Sequence, residues 1–195
     1  MVLSYKRRNK IAKKIGVFHQ DFEAQYQTTT DFVSRMFENN LRDIEPYWVC
    51  LPMGSRCAVS NYQMYWYPWD PDKEELWVRP MPKMPYIINM DNNPFDFYRY
   101  KMVQEDLYAE FGEWYSRQKK GKTICLLGIR ADESLNRYRA YANDRKTIMQ
   151  GNQWTTKMGE NWWNAYPIYD WTTKDVWIAN GKFDYDYNRI YDLFW

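Results

Sequence analysis

The chain has 195 residues, 45% hydrophobic and 27% charged, with a net charge of +2. That is enough apolar material for a core and too little net charge for a strong whole-protein field toward DNA or membranes. Three cysteines (Cys50, Cys57, Cys125) and the single histidine His19 argue against a disulfide framework and a four-ligand Cys/His zinc site, and for a reducing compartment.

No stretch approaches the ~20 apolar residues of a membrane span, and no apolar run of signal-peptide length follows the basic N-terminus. The expected location is the cytoplasm, with no membrane partner. Aromatic content is high, with 11 Trp and 18 Tyr. Half-buried rings in core and surface account for it more simply than a set of base-stacking platforms.

Residues 3–14 carry Lys6, Arg7, Arg8, Lys10, Lys13 and Lys14. They read as a solvated helix end whose cations suit the C-terminal dipole; the competing reading is a nucleic-acid patch. Ile15 to His19 reads as a short buried strand, with Gly16 an exception inside it. Thr28 to Asn39 reads as a helix with Thr30 or Asp31 as cap and Phe32, Val33, Met36 and Phe37 as its apolar stripe. Tyr47 to Leu51 is a second strand, stopped by Pro52 and Gly54. Residues 52–97 form a Pro- and Trp-rich insert with little periodicity, the pattern of a functional or covering loop.

Tyr100, Val103, Leu107, Phe111 and Trp114 recur at helical spacing over residues 98–120. Thr123 to Ile129 is continuous and apolar, as in a strand buried on both faces. Residues 143–164 read as loop. Residues 166–178 give a turn and a helix start, capped by Thr172 or Thr173 with Asp175 in the first turn. Alternating strands and helices indicate one α/β domain over residues 1–195 with a parallel sheet. Ligands of such sheets lie beyond the carboxyl ends of the strands. Two places qualify: Gln20 to Glu23, and Arg130 to Ser134.

The second holds the strongest constellation. Arg130, Arg137 and Arg139 follow a buried strand together with Ser134, and guanidinium groups bind phosphate or sulfate in bidentate fashion. Asp132 and Glu133 can hold those arginines in place, and an ordinary salt-bridged loop is the equal alternative. At the first strand end, Asp21 and Glu23 suit hydrogen bonds to a ribose or adenine, or a share in a metal site; the alternative is a pair of solvated carboxylates. His19 reads as a satisfied core residue rather than a catalyst, and Cys50 and Cys57 as inert thiols.

Gly128-Ile129-Arg130 through Ser134 and Arg137 resembles the Gly-Leu-Arg-x-x-(Gln/Glu)-Ser-x-x-Arg signature of the phosphoadenosine-phosphosulfate reductase family. Pro167 to Trp177 resembles its Pro-Ile-x-Asp-Trp-(Thr/Ser)-x-x-Asp-Val-Trp segment, and Phe18 to Thr29 its second-strand segment. Trp48 to Pro52 and Trp77 to Pro82 resemble the subgroup of the immunoglobulin-binding regulator A protein, often carried on phage and mobile elements. The resemblance implies an adenine nucleotide α-hydrolase-like fold: a parallel, doubly wound sheet binding an adenine nucleotide, with or without Mg²⁺ and with no covalent cofactor. It implies Asp21 and Glu23 near the nucleoside, and Arg130, Glu133, Ser134 and Arg137 near the phosphate or phosphosulfate end. Asp170 and Trp171 would then form the neighbouring wall.

Two departures accompany the resemblance. The family's Ser-Gly-Gly-Lys-Asp-Ser phosphate loop is absent, so the sheet is expected to be incomplete at its N-terminus. The catalytic Cys-Gly-x-His tail is absent too, so no sulfite production is expected. A polypeptide supplying the phosphate loop, or a ParB-like partner as in the resembled subgroup, is the implied protein partner. The alternative function is a non-enzymatic regulatory or nucleic-acid-binding module.

Overall fold

A computed structural model describes residues 1–194. The chain, read from sequence as one domain, divides by its contacts into two compact units: Met1–Pro94 with Tyr100–Val103 and Asp186–Trp195, and Phe95–Arg99 with Gln104–Tyr185.

In the first unit a helix, α1 (Val2–Arg8), precedes β1 (Ile15–Gln20), α2 (Gln27–Glu38) and β2 (Ile44–Val49). β1 and β2 pair in parallel from Ile15 opposite Ile44 to Gln20 opposite Val49. A parallel pair needs a crossover connection, which α2 supplies. The insert is less irregular than its sequence indicates. It contributes a short hairpin, β3 (Ser55–Arg56) with β4 (Tyr65–Trp66), a 3-10 turn over Pro71–Leu76, and β5 (Ile87–Ile88). β5 joins the far side of β2 in parallel, giving a three-stranded parallel sheet in the order β1-β2-β5. β2 starts earlier than read, and Pro46 lies inside it. β5 covers only Trp48 and Val49, so β2 is paired on one side at Pro46, where a strand tolerates proline.

Phe37, Ile44, Trp48, Cys50, Trp69 and Ile87 form one buried cluster. Trp69 and Ile87 come from the insert, which therefore builds core as well as covering it. α2 lacks the expected side-chain cap: Tyr26 holds the N-cap position. Thr30 and Asp31 lie inside the helix, where they accept hydrogen bonds from Gln25 and Gln27. The basic helix end is also not fully solvated. Lys6 is buried, and Lys6 Nζ and Arg7 Nε each reach Asp43 at 2.7 Å. These two hydrogen bonds hold the Asp43 carboxyl below its ordinary range.

His19 packs edge-to-face on Trp48 with ring centroids 5.0 Å apart, and its buried Nε2 has no hydrogen-bond partner among the described residues. Burial pushes its pKa down; Asp21 opposes the shift and Arg79 adds to it. The folded state thus binds the proton less readily than the unfolded chain. Stability from this group is present above the unfolded pKa, about 6.5, and is lost as pH falls below it. As His19 is the sole histidine, His19→Phe is expected to flatten the urea-midpoint profile between pH 7 and pH 5. The His19 contribution to the slope there is at most about 1.4 kcal/mol per pH unit.

The second unit contains α3 (Gln104–Lys119), β6 (Thr123–Leu126), α4 (Leu135–Ala142), β7 (Thr155–Lys157), β8 (Trp162–Ala165) and α5 (Thr173–Phe183). Its sheet runs β6-β8-β7, with β8 parallel to β6 and antiparallel to β7. Both β7 and β8 fall in the stretch read as loop, being too short to display periodicity. β6 ends at Leu126, earlier than read, and is an edge strand. Ile124 is 47% and Leu126 46% exposed, so it is not buried on both faces. An unbroken apolar run does not reveal whether its second face is covered.

α3 begins later than read and leaves Tyr100 outside the helix. Leu107 and Trp114 are buried on it, and Phe95 meets Trp114 edge-to-face at 5.0 Å. A Cβ at Gly112 would overlap the Trp162 ring. Gly112→Ala is expected to destabilise this unit by about 1–3 kcal/mol of overpacking, despite alanine's better helix propensity, and so to lower its urea midpoint. α5 has the expected start: Thr172 and Asp175 form a reciprocal capping box.

The fold is mixed α/β with a parallel three-stranded sheet. Among the described residues, no helix is long and apolar enough to cross a membrane.

Candidate functional site

The two strand ends singled out by the sequence belong to different units. At the end of β1, Asp21 is completely buried. Its carboxylate accepts hydrogen bonds from Trp48 Nε1 and the Glu23 amide, each at 2.8 Å, and from Arg79 Nη2. Glu23 is also buried, in a left-handed backbone conformation with φ of 62°. Its carboxylate accepts from the amides of Trp69 (2.9 Å) and Val78 (3.0 Å), and its carbonyl from Arg79 Nε (2.8 Å). Trp69 Nε1 donates to the Asp21 carbonyl at 2.9 Å.

Neither carboxylate is solvated, contrary to the alternative that the sequence leaves open. Both are occupied by donors of their own chain, most of them from the insert. Arg79 also lies over the Trp69 ring, 4.9 Å from its centroid. The Cys50 thiol sits beside Asp21; burial, then the Asp21 charge, pushes its pKa up, so it is a poor nucleophile.

The network continues through Asp70, also buried, which meets Lys101 Nζ at 2.9 Å and the Tyr100 hydroxyl at 2.7 Å. Burial and the carboxylates of Asp70 and Asp72 push the Tyr100 hydroxyl up to about 12. Beside the network lies a cleft of about 600 Å³ lined by Trp77, Arg79, Pro80, Lys83, Met84 and Asn89 among others.

At the end of β6 the arginines converge. Arg130 Nε reaches Glu133 at 3.1 Å and its Nη1 reaches Asp132 at 3.0 Å; Arg137 Nε meets the other oxygen of Glu133 at 2.9 Å. Glu133 therefore bridges Arg130 and Arg137. Ser134 caps α4, its hydroxyl accepting from the Arg137 amide. Arg130 Nη1 also donates to the Thr173 hydroxyl at 3.3 Å, and the Ala131 amide donates to the Tyr169 carbonyl at 2.7 Å. These contacts join the loop after β6 to the turn that opens α5. Asp170 is exposed in that turn and Trp171 is half-buried, its amide donating to the Ile168 carbonyl. Tyr169 stacks on Tyr141 of α4 with centroids 4.0 Å apart.

The geometry suits an oxyanion. Solvent-accessible ion pairs of this kind contribute about 0–1 kcal/mol each. A charge-assisted hydrogen bond to an anion contributes about 1.5–3 kcal/mol. Both guanidiniums are already bonded to carboxylates, so an anion binding here exchanges one set of charge-assisted hydrogen bonds for another by displacing Glu133 or Asp132. Sequence reasoning missed Thr173, read only as a helix cap, and the Tyr141–Tyr169 stack. It also missed Arg79 as the partner of Asp21, although the segment carrying Arg79 stood out. Among the described residues, no three His, Cys, Asp or Glu side chains form a metal-holding group.

No known family profile matches the chain, and no solved structure matches it. A curated protein, "Uncharacterized protein YbdN" of Escherichia coli (strain K12), is 36% identical over 187 residues, which is 94% of this chain and 44% of YbdN. The chain thus spans less than half the length of that relative.

Proposed function

We propose that the chain is an adenine-nucleotide-binding domain of the phosphoadenosine-phosphosulfate reductase type, working on a doubly wound sheet in the cytoplasm. Arg130, Arg137 and Ser134 hold the phosphate or phosphosulfate end, and Asp170 and Trp171 line the adjacent wall. The observation that carries this reading is the meeting of two separate sequence segments, 130–137 and 167–175, through Arg130–Thr173 and Ala131–Tyr169. Both segments resemble nucleotide-site motifs of one family, and they converge on one cluster of anion-binding groups.

Isothermal titration with phosphoadenosine phosphosulfate tests the reading. Arg130→Ala is expected to weaken binding, whereas Arg8→Ala leaves it unchanged. Loss of nucleic-acid binding on Arg8→Ala, with a steep salt dependence and no effect of Arg130→Ala, would favour the nucleic-acid module instead. Pairing of Lys6 and Arg7 with Asp43 reduces the charge available for that alternative.

A second reading concerns a protein partner. Among the described residues β6 pairs with β8 on one side only, and Ile124 and Leu126 are half-exposed. Such an edge accepts a further strand, as a polypeptide carrying a phosphate loop would supply. Without one, the purified chain is expected to self-associate.

A further inference from the structure

Residues 71–80 run across the carboxyl end of β1 like a strap. None of Pro71–Leu76 is buried, and Leu76 and Val78 are exposed. The strap touches the strand end through two residues. The Val78 amide donates to Glu23, and Arg79 donates to both the Asp21 carboxylate and the Glu23 carbonyl. Trp77 adds an edge-to-face contact with Trp69, 5.1 Å between centroids, and a hydrogen bond to the Asp70 carbonyl. Trp69 is fully buried and Asp70 is tied to Lys101, so the chain is anchored just before the strap begins.

The contacts work against backbone strain. Glu23, Trp69 and Lys101 have φ of 62°, 55° and 59°, a left-handed conformation disfavoured for residues with a Cβ. All three lie in this one network, Glu23 and Trp69 hydrogen-bonded to each other. The strap's polar contacts hold Glu23 in place, and their loss leaves it free to relax. A segment with few buried apolar groups, opposed by local strain, belongs to the low-stability end of a structure. The cleft lined by Trp77, Arg79 and Pro80 leaves open space beside the strap.

We propose that residues 71–80 form a clasp that closes the carboxyl end of β1 and opens as a unit, uncovering Asp21, Glu23 and the Cys50 thiol behind them. In the closed state the two carboxylates are unavailable to any ligand. In the open state they accept from donors such as hydroxyls or amines. The clasp does not depend on which ligand the second unit binds.

Cys50 is a built-in reporter. Its alkylation by iodoacetamide, followed site by site by peptide mass under native conditions, is expected to be slow in the wild type. In Arg79→Met it should rise about tenfold to a hundredfold, the effect of losing charge-assisted hydrogen bonds. Cys125, in the other unit, should keep its rate, and Arg79→Lys should fall between. A Cys50 rate that does not move, or that rises in step with Cys125, would overturn the proposal.

Hydrogen exchange on the wild type gives a second test should Arg79→Met fail to fold. The Val78 amide is expected to exchange at least tenfold faster than the amides of Trp48 and Val49. Equal protection at all three would also overturn it.

Discussion

Asp21→Ala is expected to destabilise the first unit by about 3–5 kcal/mol. Removing one member of a buried ion pair leaves the other charged and desolvated, which costs far more than the pair contributes. Here the loss strands the Arg79 guanidinium, 11% exposed, and the indole N–H of the fully buried Trp48. Domains of this size are stable by about 5–15 kcal/mol, so the variant should be near the edge of folding. Asp21→Asn retains shape but not charge and should fall between the two. The readout is the urea midpoint followed by tryptophan fluorescence. A change in Asp21→Ala below about 1 kcal/mol would mean that the network is solvated and loosely held.

Glu133→Gln is expected to tighten anion binding by about tenfold, the opposite of what most substitutions in a binding site do. Glu133 bridges the two arginines and competes with any anion for them. Glutamine retains an acceptor oxygen that can orient Arg130 but removes the competing charge. The gain is bounded by the roughly 0–1 kcal/mol of each exposed pair released, plus the relief of like-charge repulsion with the ligand. Titration with phosphoadenosine phosphosulfate at two salt concentrations separates the two contributions, because the repulsive part is screened. Unchanged or weaker binding in Glu133→Gln would show that Glu133 positions the arginines without competing for them.

How much of this was legible in the sequence follows from the range of each interaction. β1, the span of α2 and the cap of α5 are local patterns, set by neighbours within a few residues, and they stand where those patterns put them, whereas the cap read for α2 does not. β5, β7 and β8 have two to four residues each, shorter than the window in which alternation can be recognised. Their pairing partners make them strands. β6 illustrates the converse: a strong apolar run places a strand correctly but not its neighbours, and the exposure of Ile124 and Leu126 is a property of the sheet.

The candidate sites divide the same way. Arg130, Glu133, Ser134 and Arg137 lie within eight positions, and pairing of the arginines with the neighbouring acids could be anticipated from that nearness in sequence. Arg79 and Asp21 are separated by 58 positions, and no local rule joins them. Arg130 and Thr173, 43 positions apart, were connected only through the likeness of two motifs. Buried carboxylates carry no distinct signature in sequence. Asp21 and Glu23 look like exposed loop acids until the insert folds over them.

Arg130 is proposed to meet the charged end of a nucleotide. This is tested most directly by measuring the affinity of the wild type and Arg130→Ala for phosphoadenosine phosphosulfate and for plain adenosine at fixed salt. A loss of about tenfold or more is expected for the phosphorylated ligand, with no change for adenosine. Equal losses for both ligands, or none for the phosphorylated one, would contradict it.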